Sequence, residues 1–200
     1  MYPEEQGFDL DDFMRRWKDE PPTSTNIGYF YDRAAGHLAY IEFITLVGYI
    51  CPFLISQAIG KPLKPDADPE DEFDIGFLDA PRDAKVFDFC SGTGLLGRLL
   101  TEQGFQHIVG ADASSKSNAV SAKTGWYKDV REQWFGLGVD KLPKEWLGAF
   151  DIVMACGCFS AGHVPATGFD DALAICKPGG YFITCIRLQY LEGEEDKLGF

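Results

Sequence analysis

From Lys85 onward, short apolar runs alternate with amphipathic stretches, and that alternation predicts an α/β fold. Lys85–Phe89 (KVFDF) reads as a buried strand and Gly94–Gln103 as a helix stopped by Gly104. Ile108–Ala111 reads as a second strand ending at Asp112, after which Ser114 is placed to cap a helix running to Lys123. A third strand is expected over Gln133–Leu137, a fourth over Phe150–Ala155 (FDIVMA), a helix over Gly168–Cys176, and a fifth strand over Gly180–Arg187 (GYFITCIR). Near-continuously apolar strands separated by helices predict a doubly wound, mostly parallel sheet covered on both faces, in three layers, α/β/α.

Upstream the pattern changes three times. Residues 1–27 form an acidic arm whose apolar points are Phe8, Phe13 and Trp17. Residues 28–60 are apolar enough for a helical cap of one helix, or of two broken between Gly48 and Pro52. Residues 61–84 are rich in proline and acids and read as a linker into the core domain, 85–200. The run Tyr40–Ile59 comes nearest to a membrane span, but Glu42, Pro52 and Gln57 interrupt it, so packed helices are the expectation.

Composition narrows the function classes. With 46% hydrophobic side chains in 200 residues the chain can bury one real core. Its 31 acidic against 18 basic residues give a net charge of -13, which opposes nucleic acid and anionic membrane surfaces as partners. The acidic start MYPEEQGFDLDDF has neither signal-peptide nor transit-peptide layout, and a cytoplasmic location is expected. Cysteines 51, 90, 156, 158, 176 and 185 contain no C-x-x-C pair and the histidines are scattered, so no metal is expected. Cys156 and Cys158 are expected to face opposite sides of the sheet, which disfavours a shared metal.

The stretch VFDFCSGTGLLG, residues 86–97, fits two sites. From Gly92 it is G-x-G-x-x-G, a turn that seats a dinucleotide pyrophosphate; from Asp88 it is D-x-x-x-G-x-G, an acid before a glycine turn. Either way, ligands of open α/β sheets bind at the carboxyl ends of the strands, and a helix N-terminus follows. Asp112, twenty residues past Gly92, can accept the two hydroxyls of a ribose in either ligand. Asp88 separates the two: a carboxylate there repels a pyrophosphate and favours the ammonium and sulfonium of S-adenosylmethionine.

Together VFDFCSGTG, IVGADAS, AFDIVMACGCF and CKPGGYFITC resemble the motifs of class I S-adenosylmethionine-dependent methyltransferases. GYFYDRAAGHLAY, GFQHIVGADAS and the segment from Gly148 to Ile183 are also similar to the methyltransferase-like proteins of the Williams–Beuren region type. The resemblance implies a Rossmann-like fold, S-adenosylmethionine as cofactor and a small-molecule or protein methyl acceptor. It implies that Cys90, Ser91, Gly92, Thr93 and Gly94 wrap the methionine part, that Asp112 holds the ribose and that Ala113 and Ser114 line the adenine. Ala155, Cys156 and Gly157 would border the methyl group, and Tyr31 would close over the cofactor.

Two departures stand out. Cys90 occupies the place of the motif's first glycine, which is tolerable where φ stays negative. The family fold carries seven strands, so this chain is expected to lack the last two or to have its sheet edge completed by a protein partner. A non-catalytic methyltransferase-like scaffold is the alternative function, and a nicotinamide-dependent oxidoreductase a third.

Some small acceptors need a general base, and His163, in SAGHVP on the active rim, is the candidate catalytic residue, with a solvent-exposed loop histidine as the alternative reading. His37 and His107 read as structural. Trp126, Tyr127, Trp134 and Trp146 suit either an aromatic wall for an apolar acceptor or core packing.

Overall fold

The computed structural model describes residues 15, 16, 18, 19, 23, 25–32, 49–60, 78–160 and 162–186. Most of the acidic arm, most of the linker, His37 and the middle of the 28–60 cap lie outside them. The cap contributes helix α1, Ile27–Asp32, and helix α2, Cys51–Gln57. Five strands follow: β1 Lys85–Phe89, β2 His107–Asp112, β3 Asp129–Glu132, β4 Phe150–Cys156 and β5 Cys176–Cys185. Between them run α3 Leu95–Glu102, α4 Ser115–Ser121 and α5 Gly168–Ile175, with two 3-10 turns at Val139–Lys141 and Lys144–Trp146.

All pairings in the sheet are parallel, in the order β3-β2-β1-β4-β5. This is the Rossmann-like architecture the alternation predicts. Strand order reverses between β1 and β4, which opens a crevice at their carboxyl ends.

Alternation along β1 assigns the two sides of the core. Val86 points to one face and packs with Ile108, Ile152, Met154, the α2 residue Ile55 and the α3 residues Leu96 and Leu100. Phe87 and Phe89 point to the other, among Phe135, Trp146, Phe150, Phe159 and the α5 residues Ala172 and Ile175. Phe87 and Phe89 are fully buried, each worth about 2–3 kcal/mol over exposure. Asp88 lies between them in sequence, on the Val86 side, in a strand otherwise apolar from Val86 to Phe89.

Two strands differ from expectation. β3 is Asp129–Glu132, four residues upstream of the predicted segment. The apolar signal at 133–137 comes from a loop instead: Phe135 plugs the core and stacks on Phe89 with ring centroids 3.7 Å apart. β5 begins at Cys176, before the predicted Gly180, because Lys177–Gly180 bulge opposite Asp151 between the pairs Phe150–Cys176 and Ile152–Tyr181. Gly180 permits the bulge; a Cβ there would lie 2.6 Å from the Asp151 carbonyl oxygen. Pro178 is tolerated because, among the described residues, β5 pairs with β4 alone. The Asp151 carboxylate ties three strands together, accepting from the Lys85 amide at 2.7 Å and from the Lys177 ammonium.

Candidate functional site

The glycine turn hangs from β2. Ser91 N–H donates to the Ala111 carbonyl at 3.0 Å, and Gly92 N–H donates to Asp112 Oδ2 at 2.9 Å. Asp112 Oδ1 accepts from Ser114 N–H at 2.8 Å, and Ser114 Oγ caps α4 by accepting from Ser117 N–H at 3.0 Å. One carboxylate thus joins the turn after β1 to the turn after β2. Burial pushes its pKa up, the two amides pull it back, and the neighbouring Asp32 adds to the rise. Gly92 has φ 52 and its missing Cβ would face open space, whereas Ser91 and Gly94 are buried and Thr93 is half-buried.

Cys90 departs from expectation. Its φ is 62, the one positive value among the described non-glycine residues. A side chain in that region costs roughly 1–2 kcal/mol, which is why glycine suits the position. The half-buried thiol packs at the edge of the Phe87–Phe89 core and meets the buried Cys158. Cys158 lies beyond the end of β4, where the alternation that would put positions 156 and 158 on one face no longer holds, so Cys158 borders the Phe87–Phe89 core and Cys156 the other face.

Asp88 does not line the crevice directly. It is 1% exposed and accepts a 2.6 Å hydrogen bond from Tyr127 Oη, which in turn accepts from the Gly97 amide at 3.1 Å. Gly97 is the third residue of α3, so Tyr127 satisfies one of the helix's unpaired N–H groups from below. Burial raises the Asp88 pKa to about 7, opposed by the Tyr127 bond and reinforced by the charge on Asp112. The last glycine of G-x-G-x-x-G has a specific reason to be there. A Cβ at Gly97 would fall 2.2 Å from Tyr127 Cζ, and one at Gly110 would fall 2.9 Å from Tyr127 Cε1. Nothing in the sequence marked Tyr127 as the group these glycines accommodate.

The N-terminal helix closes one rim of the crevice. Asp32 accepts from Ser114 Oγ at 2.6 Å and from the Lys116 amide at 3.0 Å, fastening α1 to the start of α4. Gly28 packs against the Ala113 carbonyl, where a Cβ would approach to 2.3 Å, and Tyr29 lies 5.6 Å from the Trp134 ring. Tyr31 Oη reaches His163 Nε2 at 3.0 Å. At the β4 end, Tyr49 Oη donates to the Cys156 carbonyl at 3.3 Å and covers Gly157, whose φ of 65 and missing Cβ make room for it. Ala155 is fully buried and its carbonyl accepts from Thr184 Oγ1 at 2.9 Å, so its side chain belongs to the core.

The structure therefore brings together Cys90–Gly94, Asp112 and Ser114 at one end of the crevice. It joins Tyr31 to His163 across it and sets Cys156 and Gly157 under Tyr49. Asp32 and Tyr49 carry no signal in the sequence, and Tyr127 reads there only as an aromatic; each is a polar group in an apolar or irregular context, without the spacing that marks a motif. The four aromatics do not form one wall. Trp146 packs edge-on to Phe87 in one core, Tyr127 sits on the opposite face of the sheet, and Trp134 adjoins α1.

A parallel α/β sheet with a glycine turn and an acid at the next strand end defines a nucleotide-type crevice. Residues 69–199 match the model of the methyltransferase domain family, and the chain belongs to that family. No curated protein matches the sequence. Among solved structures, the chain is similar to a Thermotoga maritima S-adenosylmethionine-dependent methyltransferase described as a possible histamine N-methyltransferase. That match has 20% identity and a TM-score of 0.48, covering 77% of this chain and 58% of the other. It is also similar to a Mesorhizobium loti S-adenosylmethionine-dependent methyltransferase, at 22% identity, TM-score 0.41, and 52% and 48% coverage. For the YcgJ protein of Bacillus subtilis the values are 20%, 0.41, 52% and 45%. The chain spans about half the length of these structures. Among the described residues no helix is long and apolar enough to cross a membrane.

Proposed function

We propose that this chain is an S-adenosylmethionine-dependent methyltransferase whose cofactor lies along the crevice from Asp112 to Gly157. The observation that carries the reading is the Asp112 carboxylate. Each of its oxygens accepts one backbone N–H, from Gly92 and from Ser114, and a carboxylate has further lone pairs to offer a ribose diol. Gly92 opens on free space, as a backbone approached closely by a ligand requires. Asp32 lies near Asp112 at the rim, close enough for its charge to act on that carboxylate. That concentration of acids favours a cationic ligand over a pyrophosphate and argues against a nicotinamide dinucleotide.

When bound, the cofactor supplies a methyl group already activated on sulfur. The chain's own residues then bind, orient and exclude water. Cys90–Gly94 hold the methionine part, Ala113 and Ser114 border the adenine, and Cys156 and Gly157 border the methyl end. Tyr31 holds α1 over the crevice, and His163, its partner, takes a proton from the acceptor. The acceptor is a small molecule or protein group entering beside Tyr49. Within the family, the motif sequences are similar to those of the Williams–Beuren region type.

Calorimetric titration with S-adenosylhomocysteine and NAD tests the reading. Micromolar binding of the first and none of the second supports it; the reverse overturns it.

A further inference from the structure

Cys51 opens α2 and Cys185 ends β5, yet across 134 positions of sequence their sulfurs lie 3.1 Å apart. Both are partly accessible thiols. Cys185 is the register partner of Cys156 on β4, and Tyr49, two residues before Cys51, is the group bonded to the Cys156 carbonyl. The thiol pair therefore marks the point where the N-terminal segment crosses the carboxyl ends of β4 and β5. A disulfide bond is about 2.05 Å long, so the two sulfurs need to approach by only roughly 1 Å more.

We propose that Cys51 and Cys185 form a modification site for low-molecular-weight disulfides of the glutathione type, closing into an intramolecular disulfide that fastens the 49–57 segment to β5. Cys185 donates its S–H to the Cys51 sulfur, which favours negative charge on Cys51 and makes it the entering nucleophile. That same bond, with burial, holds the Cys185 thiol well above its ordinary pKa, so Cys185 stays protonated until Cys51 has reacted and the bond is lost. The Cys51 thiolate attacks one sulfur of the small disulfide, whose S–S bond breaks and releases one glutathione thiolate. Cys185 then gives up its proton and attacks the Cys51 sulfur of the mixed disulfide. The Cys51–Cys185 bond forms and the second glutathione thiolate leaves. Two protein thiols are oxidised, one small disulfide is reduced to two thiols, and the two protons pass to them.

Cys90 and Cys158 also interact, on the far side of the sheet, but Cys158 is buried from reagents. Formation of the bond does not depend on the methyltransferase reading; only its consequence, pinning Tyr49 over Cys156 and Gly157, rests on it.

The test incubates the full chain with millimolar oxidised glutathione, alkylates the remaining thiols and maps the peptides by mass spectrometry. The expected result is a loss of two hydrogens with the peptides of Cys51 and Cys185 linked, in the native chain and in Cys156→Ser. Cys185→Ala should stall as a glutathione adduct on Cys51. Oxidation should also raise the melting temperature, and dithiothreitol should return it. Alkylation of all six thiols after exposure, or a link through Cys156 or between Cys90 and Cys158, overturns the proposal. If Cys185→Ala does not fold, the peptide map of the native chain still decides.

Discussion

Tyr31 Oη and His163 Nε2 lie 3.0 Å apart, joining a helix near the start of the chain to the loop after β4. A half-buried hydrogen bond of this kind contributes about 1 kcal/mol net to holding α1, which Asp32 also fastens through Ser114 and Lys116. Tyr31→Phe and His163→Ala should each speed hydrogen exchange of the α1 amides about fivefold, and the double variant little further. Amides of β1 and β4 should keep their protection. Additive effects of the two substitutions would mean that the contact does not hold α1.

Tyr127 ties the motif acid to the helix after the glycine turn. Tyr127→Phe leaves the Asp88 carboxyl and the Gly97 amide without their partner and should cost about 1–3 kcal/mol in urea unfolding. Gly97→Ala drives a methyl into the Tyr127 ring and should cost a similar amount by overpacking. Combining Gly97→Ala with Tyr127→Ser should cost less than the sum, because the smaller side chain vacates the space.

Strain at Cys90 separates two otherwise similar substitutions. Alanine and glycine both remove the sulfur from the core edge, but only glycine relieves the φ of 62. Cys90→Gly should therefore be about 1 kcal/mol more stable than Cys90→Ala by chemical denaturation. Equal stabilities would place the strain elsewhere.

Asp88 makes stability depend on pH in the direction opposite to a salt-bridged carboxylate. Its pKa is about 7 in the fold against an ordinary 3.8, so the folded chain holds this proton more tightly than the unfolded one. The stability it contributes is complete below about pH 4 and is lost as pH rises through about 7. Asp88→Asn removes the titration while leaving an acceptor for Tyr127. The native chain should gain stability relative to this variant, by on the order of 3–4 kcal/mol, between pH 8 and pH 4 in parallel unfolding curves.

How much of this was legible depended on whether the signal was local. β1, β2 and β4 are central strands, buried on both faces, and announce themselves as apolar runs. β3 is an edge strand reading Asp-Val-Arg-Glu, half exposed and, among the described residues, paired with β2 alone, so its composition resembles a loop. Phe135, in a true loop, carries the apolar signal because tertiary packing pulls it onto Phe89. The start of β5 is hidden by Lys-Pro-Gly-Gly, which an edge bulge accommodates. The Cys90–Gly94 turn, Asp112 and the Ser114 cap were readable from spacing, and Tyr31 and His163 came forward separately. Their meeting, and the roles of Asp32, Tyr49 and Tyr127, depend on contacts across 30 to 132 positions that no periodicity encodes. Asp88 stands out in the motif as the acid expected to meet a cationic ligand, whereas its partner in the fold is Tyr127 beneath the turn.

The central claim is that Asp112 holds the ribose of S-adenosylmethionine, and titration calorimetry of the native chain and its Asp112→Ala and Asp112→Asn variants with S-adenosylhomocysteine tests it most directly. Melting curves would confirm that both variants remain folded. The account predicts micromolar binding to the native chain, weakened roughly 10- to 100-fold in Asp112→Ala and less in Asp112→Asn, which keeps one acceptor. Binding unchanged by either substitution, or no binding to the native chain, would contradict it.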